Sequence, residues 1–394
     1  MSKEIYIVAA KRTAIGAFGG SLKDFEPGAL GAMVTRAAMA AAEVSPERVD
    51  HVVFGQVIPT SPRDAYLARV VSIEAGIPKE TPALTVNRLC GSGMQAIISA
   101  ANALALGDAE IAIGGGVEIM SRAPFFAPQV RWGQRMGDAI LVDGLNGALT
   151  DPFGGILMGV TAENVAERYG VSRKMQDALA VESHRRASRA LAEGRFTSQI
   201  VPVEVTNRRK TVTFDTDEHV RQDATLDDMA KLRTLFKKDG GTVTAGNASG
   251  INDGASAVVL ATAEAVKAHG LTPLARLVSY AHAGVEPAYM GIGPVPASQK
   301  ALARAGLSVG DLDIVESNEA FAAQAYAVAA QLGFDPERTN PNGSGISLGH
   351  PVGATGAIII TKLVHELQRS SSGHGLATMC IGGGQGIAMI LERV

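Results

Sequence analysis

Cys90 and Cys380 are the only cysteines in 394 residues, and both lie beside glycines: Leu89-Cys90-Gly91-Ser92-Gly93 and Cys380-Ile381-Gly382-Gly383-Gly384. A cysteine packed as a small hydrophobe has no need of glycine neighbours. One that must meet a bulky substrate does, because glycine lets the backbone come close. A helical pattern opens near Gly93-Met94, so Cys90 is expected at a helix N-terminus, where unpaired amides and the helix dipole favour a thiolate and lower the thiol pKa. Cys90 is read as a nucleophile.

Gly349-His350-Pro351 ends a loop, residues 342–351, so rich in glycine that it must hold a defined backbone shape. His350 opens a second helical pattern equivalent to that of Cys90, and a general base beside the thiol is the expected role. The glycines after Cys380 are either a plain tight turn or a set of N–H donors aimed at an oxyanion. A metal site is not expected, since two cysteines and eight scattered histidines show no ligand spacing. Gly114-Gly115-Gly116 lacks the GxGxxG spacing of a dinucleotide loop.

The elements that must position these residues come as a repeat. Residues 42–52 echo 305–315 at an offset of 263, and the same offset carries Cys90-Gly91-Ser92-Gly93 onto Gly353-Ala354-Thr355-Gly356. Ile113-Gly114-Gly115-Gly116 is matched to Ile381-Gly382-Gly383-Gly384 at a slightly larger offset, 268. Three matches in one order imply an internal duplication. Val52-Val53-Phe54 and Ile314-Val315 read as buried strands. Met94, Ile97, Ile98 and Ala101 recur at helical spacing, as do Ile359, Leu363, Val364 and Leu367. Such alternation implies parallel or mixed sheets covered by helices. A pseudo-twofold between the halves would turn Cys90, His350 and Asn318 (the counterpart of Gly55) toward one cleft. Residues 121–246 have no counterpart and include the only tryptophan, Trp132, and a polar stretch from Asn207-Arg208-Arg209-Lys210 to Asp223. That is too long for a plain loop; it is read as a lid or substrate-binding insertion, or as an oligomer contact.

Bulk composition sets the frame. A chain of this length needs more than one packed unit. Hydrophobic residues at 46% and charged residues at 19% fit a globular protein with a large core. A net charge of −3 gives no reason to expect nucleic acid or an anionic membrane as partner. No secretory leader is read at the N-terminus, no apolar run is expected to approach the roughly 18 residues that span a bilayer, and few cysteines point to a reducing compartment. Cytoplasm is the expected location.

Together these motifs resemble the thiolases, over the whole chain. The resemblance rests on Arg12-Thr13-Ala14-Ile15-Gly16, Val86-Asn87-Arg88-Leu89-Cys90-Gly91-Ser92-Gly93, Thr244-Ala245-Gly246-Asn247-Ala248-Ser249-Gly250, Asn318-Glu319-Ala320-Phe321, Gly349-His350-Pro351 and Cys380-Ile381-Gly382-Gly383-Gly384. The chain is most similar to bacterial biosynthetic, broad-specificity β-ketothiolases that supply polyhydroxyalkanoate precursors. The resemblance implies an α/β thiolase-like fold of two duplicated βαβαβαββ halves in a five-layered α-β-α-β-α arrangement, with an inserted loop domain. The halves would be residues 1–120 plus 247–272 and residues 273–394, with 121–246 inserted for coenzyme A binding and oligomer contacts.

It also implies a ping-pong acyl transfer. Cys90, activated by His350, would take the acyl group from a thioester, and Cys380 would remove a proton from the α-carbon of a second acetyl-CoA. His350 with a water held by Asn318 would serve one oxyanion, and the backbone N–H groups of Cys90 and Gly382 the other. Met158, Ala245, Gly246, Ser249, Ala320 and Phe321 would line the pantetheine channel, although Phe321 reads equally well as core packing, while Arg221 and Phe236 would lie near the nucleotide end. Coenzyme A, acetyl-CoA and acyl-CoA are the implied partners, in a homotetramer built as a dimer of dimers, with no tightly bound cofactor and no metal. Two departures are visible: Leu157 stands where a histidine is common, and Ser317 where alanine usually precedes the catalytic asparagine. Competing expectations are a degradative thiolase for longer chains, a ketoacyl-carrier-protein synthase, which would carry histidine at position 380, and a non-catalytic carrier of CoA esters.

Overall fold

The computed structural model describes residues 3–207 and 210–394; Arg208 and Arg209 of the polar stretch lie outside the described residues. The first half contains β1 (Ile5–Thr13), α1 (Pro27–Ala41), β2 (His51–Gly55), α2 (Leu67–Glu74), β3 (Ala83–Val86), α3 (Ser92–Leu106) and β4 (Ile111–Ile119). Helices α4 (Met158–Tyr169) and α5 (Arg173–Ala192) follow before the chain returns through β5 (Asn252–Thr262). The second half contains β6 (Ala275–Gly284), α6 (Pro294–Ala305), β7 (Ile314–Ser317), α7 (Ala322–Leu332), α8 (Val352–Ser370), β8 (His374–Ile381) and β9 (Gln385–Arg393).

The strands hydrogen-bond in the order β3-β2-β4-β5-β1-β6-β9-β8-β7. Each half repeats one pattern. In β2-β4-β5-β1 and in β7-β8-β9-β6 the first pair is parallel and the next two are antiparallel. The half-sheets meet only through Tyr6 with Arg276 and Ile7 with Ala275. Helices α1 and α2 cover the outside of the first half-sheet and α6 the outside of the second, while α3 and α8 pack on each other between them. Five layers result. In the second half the equivalent of β3 is reduced to a single bridge between Val315 and Thr339, so β3 alone presents an open sheet edge.

Strands buried on both faces read as continuous apolar runs, and β4 and β5 are buried at every position. The central helices approach closely because glycine allows it. A Cβ on Gly93 would lie 2.7 Å from the amide nitrogen of Ala357, and one on Gly356 2.3 Å from that of Met94. These two contacts are the same contact related by the 263-residue repeat.

One of the three sequence matches does not survive. Val52 pairs with Ile113 and Val315 with Leu376, so β4 and β8 also correspond at offset 263, not 268. Gly114, Gly115 and Gly116 lie inside a strand, where a Cβ would strike Ile97, Phe54 and Gly353, whereas Gly382–Gly384 form the turn after β8. The two glycine runs share composition and not position.

A second expectation is also corrected. The segment Leu89–Leu106 is long and apolar enough to span a bilayer by composition, yet 56% of it is buried inside the protein. Its apolar side chains pack against β2, β4 and α8, while Gln95, Ser99 and Asn102 form a polar stripe along it.

Candidate active site

Cys90, His350, Asn318 and Cys380 all lie at the C-terminal end of a strand or at the opening of a central helix. β3 leads to Cys90, β7 ends just before Asn318, and Cys380 is the penultimate residue of β8. This is where open α/β sheets gather their ligand sites.

The turn into α3 is held tightly. Leu89 has φ +44°, a left-handed conformation that a branched side chain adopts only when its surroundings impose it. They do: the Leu89 amide donates to Asn87 Oδ1 at 2.9 Å, the Arg88 amide donates to Ser92 Oγ at 2.8 Å, and Ser92 Oγ donates to the Leu89 carbonyl at 2.6 Å. The Arg88 guanidinium then reaches Gln95 on α3 and Gln385 at the start of β9, tying the Cys90 turn to the chain that follows Gly384.

Cys90 is half-buried and Cys380 is buried. The backbone N–H groups of Gly382 and of Cys90 itself act on the Cys90 sulfur to lower its pKa. Burial is nevertheless the larger influence and pushes the Cys90 thiol up, with a smaller upward push from Glu118. The expectation of a thiol lowered by its helix terminus is therefore reversed: desolvation outweighs the amides. Burial raises Cys380 still more strongly, and the nearby charge of Cys90 adds to it. Cys380 lies within its strand, its side chain packed with Met290 and Ala320, and Met158 and Phe321 close the same cluster.

His350 is 5% exposed. Its amide donates to Asn252 Oδ1 at 2.9 Å, and Gly349, at φ +109°, is pressed against the same asparagine. Nδ1 lies 2.7 Å from Thr355 Oγ1, whose hydroxyl donates to the Pro351 carbonyl at 2.9 Å. With that hydroxyl proton committed, Nδ1 carries the ring proton and Nε2 keeps its lone pair. Burial pushes the imidazole down to about 4, so it is neutral at neutral pH, with Nε2 free to accept a proton. Asn318 is fully buried, and both its amide Oδ1 and Nδ2 lack a protein partner. Since buried amides rarely stay unpaired, this one is suited to a water or a substrate oxygen.

The remaining predicted contacts fall into two groups. An isolated bridge joins Ala248 to Phe321, the Ser249 amide donates to the Ala320 carbonyl at 3.0 Å, and the Ala322 amide donates to the Asn247 carbonyl at 2.8 Å. The 244–250 and 318–321 motifs thus form one wall, with Ala245 exposed and Ser249 half-buried, while Gly246 lies tight against Met229 and Leu232. Phe236, expected at the nucleotide end, instead stands edge-on to Phe321 at 6.5 Å and covers Gly159, next to Met158. It belongs with the wall near Cys380. Arg221 is exposed; its amide donates to His184 Nδ1 at 3.1 Å, and its charge reaches His219, which packs on Gly250.

Sequence reasoning missed Glu118. This carboxylate, fully buried on β4, accepts the amides of Val57, Ile58 and Gly353, so it clamps the first turn of α8 to the loop after β2. Burial pushes it up to about 8. The signal was an acid inside an otherwise apolar strand, Val117-Glu118-Ile119, because an unneeded buried charge is too costly to keep. Among the described residues, no cluster of three or more His, Cys, Asp and Glu side chains is arranged to hold a metal ion.

Comparison with known proteins agrees with this arrangement along its whole length. Residues 5–264 match the thiolase N-terminal domain and residues 271–393 the thiolase C-terminal domain. The chain is 63% identical to the beta-ketothiolase BktB of Cupriavidus necator, covering 100% of both. It is 51% identical to an acetyl-CoA acetyltransferase of the same organism, covering 99% of each. A crystal structure of human mitochondrial 3-ketoacyl-CoA thiolase in complex with CoA superposes with a TM-score of 0.96 at 48% identity, covering 100% of this chain and 98% of that one.

Proposed function

The chain belongs to the thiolase family, and from that premise we propose that it is an acetyl-CoA C-acyltransferase of the β-ketothiolase type. It joins acetyl-CoA to acetyl-CoA or a short acyl-CoA, releasing CoA and a 3-ketoacyl-CoA, and runs the same reaction backward. The observation that carries the reading is the packing of the Cys90 turn against the turn after Cys380: a Cβ on Gly91 would strike Ile381, one on Gly382 would lie 3.3 Å from Leu89, and Arg88 reaches Gln385 across the same seam.

The chemistry follows from the protonation states. His350 Nε2 takes the Cys90 proton as sulfur attacks the thioester, and the CoA thiolate leaves from the tetrahedral intermediate. The imidazolium so formed can donate from Nε2 to an oxyanion, beside a water held by the unpaired Asn318 amide. Cys380 then exchanges a proton with the α-carbon of the second acetyl-CoA. Its high proton affinity suits it to this partner, because a base must approach the basicity of the carbanion it generates. The carbanion attacks the acyl carbon, Cys90 sulfur departs, and the Cys90 and Gly382 amides stabilise the oxygen that becomes negative. No step calls for a resident cofactor; coenzyme A enters and leaves as substrate.

The wall made by residues 244–250 and 318–321, with Met158 and Phe236, is suited to the pantetheine arm, and Arg221 to the more distant nucleotide end. Residues 121–246 carry most of these CoA contacts in our reading. Leu157 is 38% exposed immediately before α4, which leaves an apolar contact where a histidine would offer a polar one. A homotetramer is supported by two surfaces: the open β3 edge, suited to pairing with a second copy, and a run of exposed apolar side chains between Phe125 and Val142. Two free thiols at the reacting centre require a reducing compartment, which supports a cytoplasmic setting, and the short-chain reading fits the supply of polyhydroxyalkanoate precursors.

The test is CoA-dependent thiolysis of 3-ketoacyl-CoA substrates of increasing length, with Cys90→Ala and Cys380→Ser alongside. Preference for the shortest substrates, no turnover by Cys90→Ala, and a Cys380→Ser variant that still acylates Cys90 but has lost condensation are expected. Activity that grows with chain length points instead to a degradative enzyme, and none at any length to a carrier.

A further inference from the structure

Behind the strand that presents Asn318 lies a cavity of about 610 Å³, between α5 and α7. Its walls are apolar, formed by Met175 and Leu179 on α5, Ala325 and Ala329 on α7, and Phe334. Such a volume falls within the range of small-molecule sites. Ser317, the last residue of β7, and Glu319, on the far side of Asn318, both line this cavity.

The buried polar side chains around it are paired except for one, while the Tyr326 hydroxyl at its rim is exposed. The Glu319 carboxylate accepts from Ser183 Oγ at 2.6 Å and from Asn340 Nδ2 at 3.0 Å. Glu182 is bound to Arg185 and Arg186, and Arg186 also donates to the Pro336 and Thr339 carbonyls. The backbone of Ser317 is doubly held by Asn340, at 2.9 and 2.8 Å. The Ser317 hydroxyl is different: it is 3% exposed and has no hydrogen-bond partner. A buried hydroxyl left unpaired is costly, and an alanine here would avoid that cost. The hydroxyl can donate or accept, so it does not select a charge, and a carboxylate buried here would find no free cation, since Arg186 is held by Glu182 and by the Pro336 and Thr339 carbonyls.

We propose that this cavity is a binding site, separate from the CoA channel, for a small neutral amphipathic molecule: an apolar body against α5 and α7 with a hydroxyl or carbonyl oxygen on Ser317 Oγ. The occupant sits one residue behind Asn318. The site does not depend on the direction or chain length of the acyl transfer.

The test titrates 1-hexanol into the full-length protein saturated with CoA, followed by saturation-transfer NMR, with hexanoate as the charged comparison. Saturable hexanol binding is expected, weakened about tenfold by Ser317→Ala through the lost hydrogen bond and abolished by Ala329→Leu, which fills the cavity. Hexanoate is expected to bind at least about tenfold more weakly than hexanol. Thiolysis without hexanol stays unchanged in Ser317→Ala. The proposal is overturned if hexanol does not bind saturably, if both variants bind it as the wild type does, or if hexanoate binds equally well.

Discussion

At the scale of single residues, the site depends on opposite shifts of two groups. Burial pushes the Cys90 thiol above its ordinary 9.0 and His350 down to about 4, so the resting pair is a neutral thiol with a neutral imidazole and not a thiolate–imidazolium pair. The sign for labelling follows. The thiolate fraction rises with pH through a raised pKa, so alkylation of Cys90 by iodoacetamide should be slow at neutral pH and still climbing at its ordinary 9.0. Bound acetyl-CoA should protect it. A labelling rate that levels off below neutral pH would mean that the amides and helix terminus outweigh desolvation. The cysteines and the histidine were singled out by their types and neighbours, while the part given to Asn318 came with the resemblance to the thiolases. The direction of the Cys90 shift was not, because a helix start can be read from sequence while the apolar groups closing over a sulfur cannot.

At the scale of elements, α8 is the part on which the site most depends, since it carries His350 at its entry and packs along α3. A buried pair fixes it: Lys362 Nζ donates to Glu316 Oε2 and to the Gly343 carbonyl, each at 2.6 Å. Replacing Lys362 with Met breaks this buried pair and removes the charge that holds the Glu316 carboxyl down. The expected loss is about 3–5 kcal/mol at neutral pH in urea denaturation. Even with the lysine present, burial raises Glu316 to about 7, above its unfolded value. The folded state therefore binds this proton more tightly, and without the lysine more tightly still, so the deficit of the variant should grow as pH rises above about 7 and stay level between about 7 and the ordinary 4.5. A variant as stable as wild type at neutral pH would show that the pair does not secure α8. The helical periodicity of α8 was visible in Ile359, Leu363, Val364 and Leu367, but Lys362 among them reads as a solvent-facing residue. Its partner lies 46 positions away.

For the whole molecule, the insertion and the open β3 edge bear on assembly. Trp132 and Met136 are 90% and 92% exposed, a degree of exposure unusual for such large apolar side chains unless another surface covers them. Changing both to Asp should shift sedimentation from the proposed tetramer to a smaller species while leaving thiolysis measurable. Unchanged sedimentation would remove this segment from the assembly. Trp132 could be singled out in the sequence as part of a stretch with no counterpart in the other half. Whether it served a lid or a contact could not, because both uses favour large apolar residues.

The sequence by itself determined the duplication, the alternation of strands and helices and the four groups expected to react, because periodicity, offset and residue type are local properties of the chain. Tertiary structure alone decided that the third glycine match is false, that Phe236 stands beside Phe321, that Glu118 clamps α8, and that the Ser317 hydroxyl opens into a cavity without a partner. Each of these depends on which distant segments are pressed together and on how much water they exclude, and neither is written in the spacing of residues along one chain.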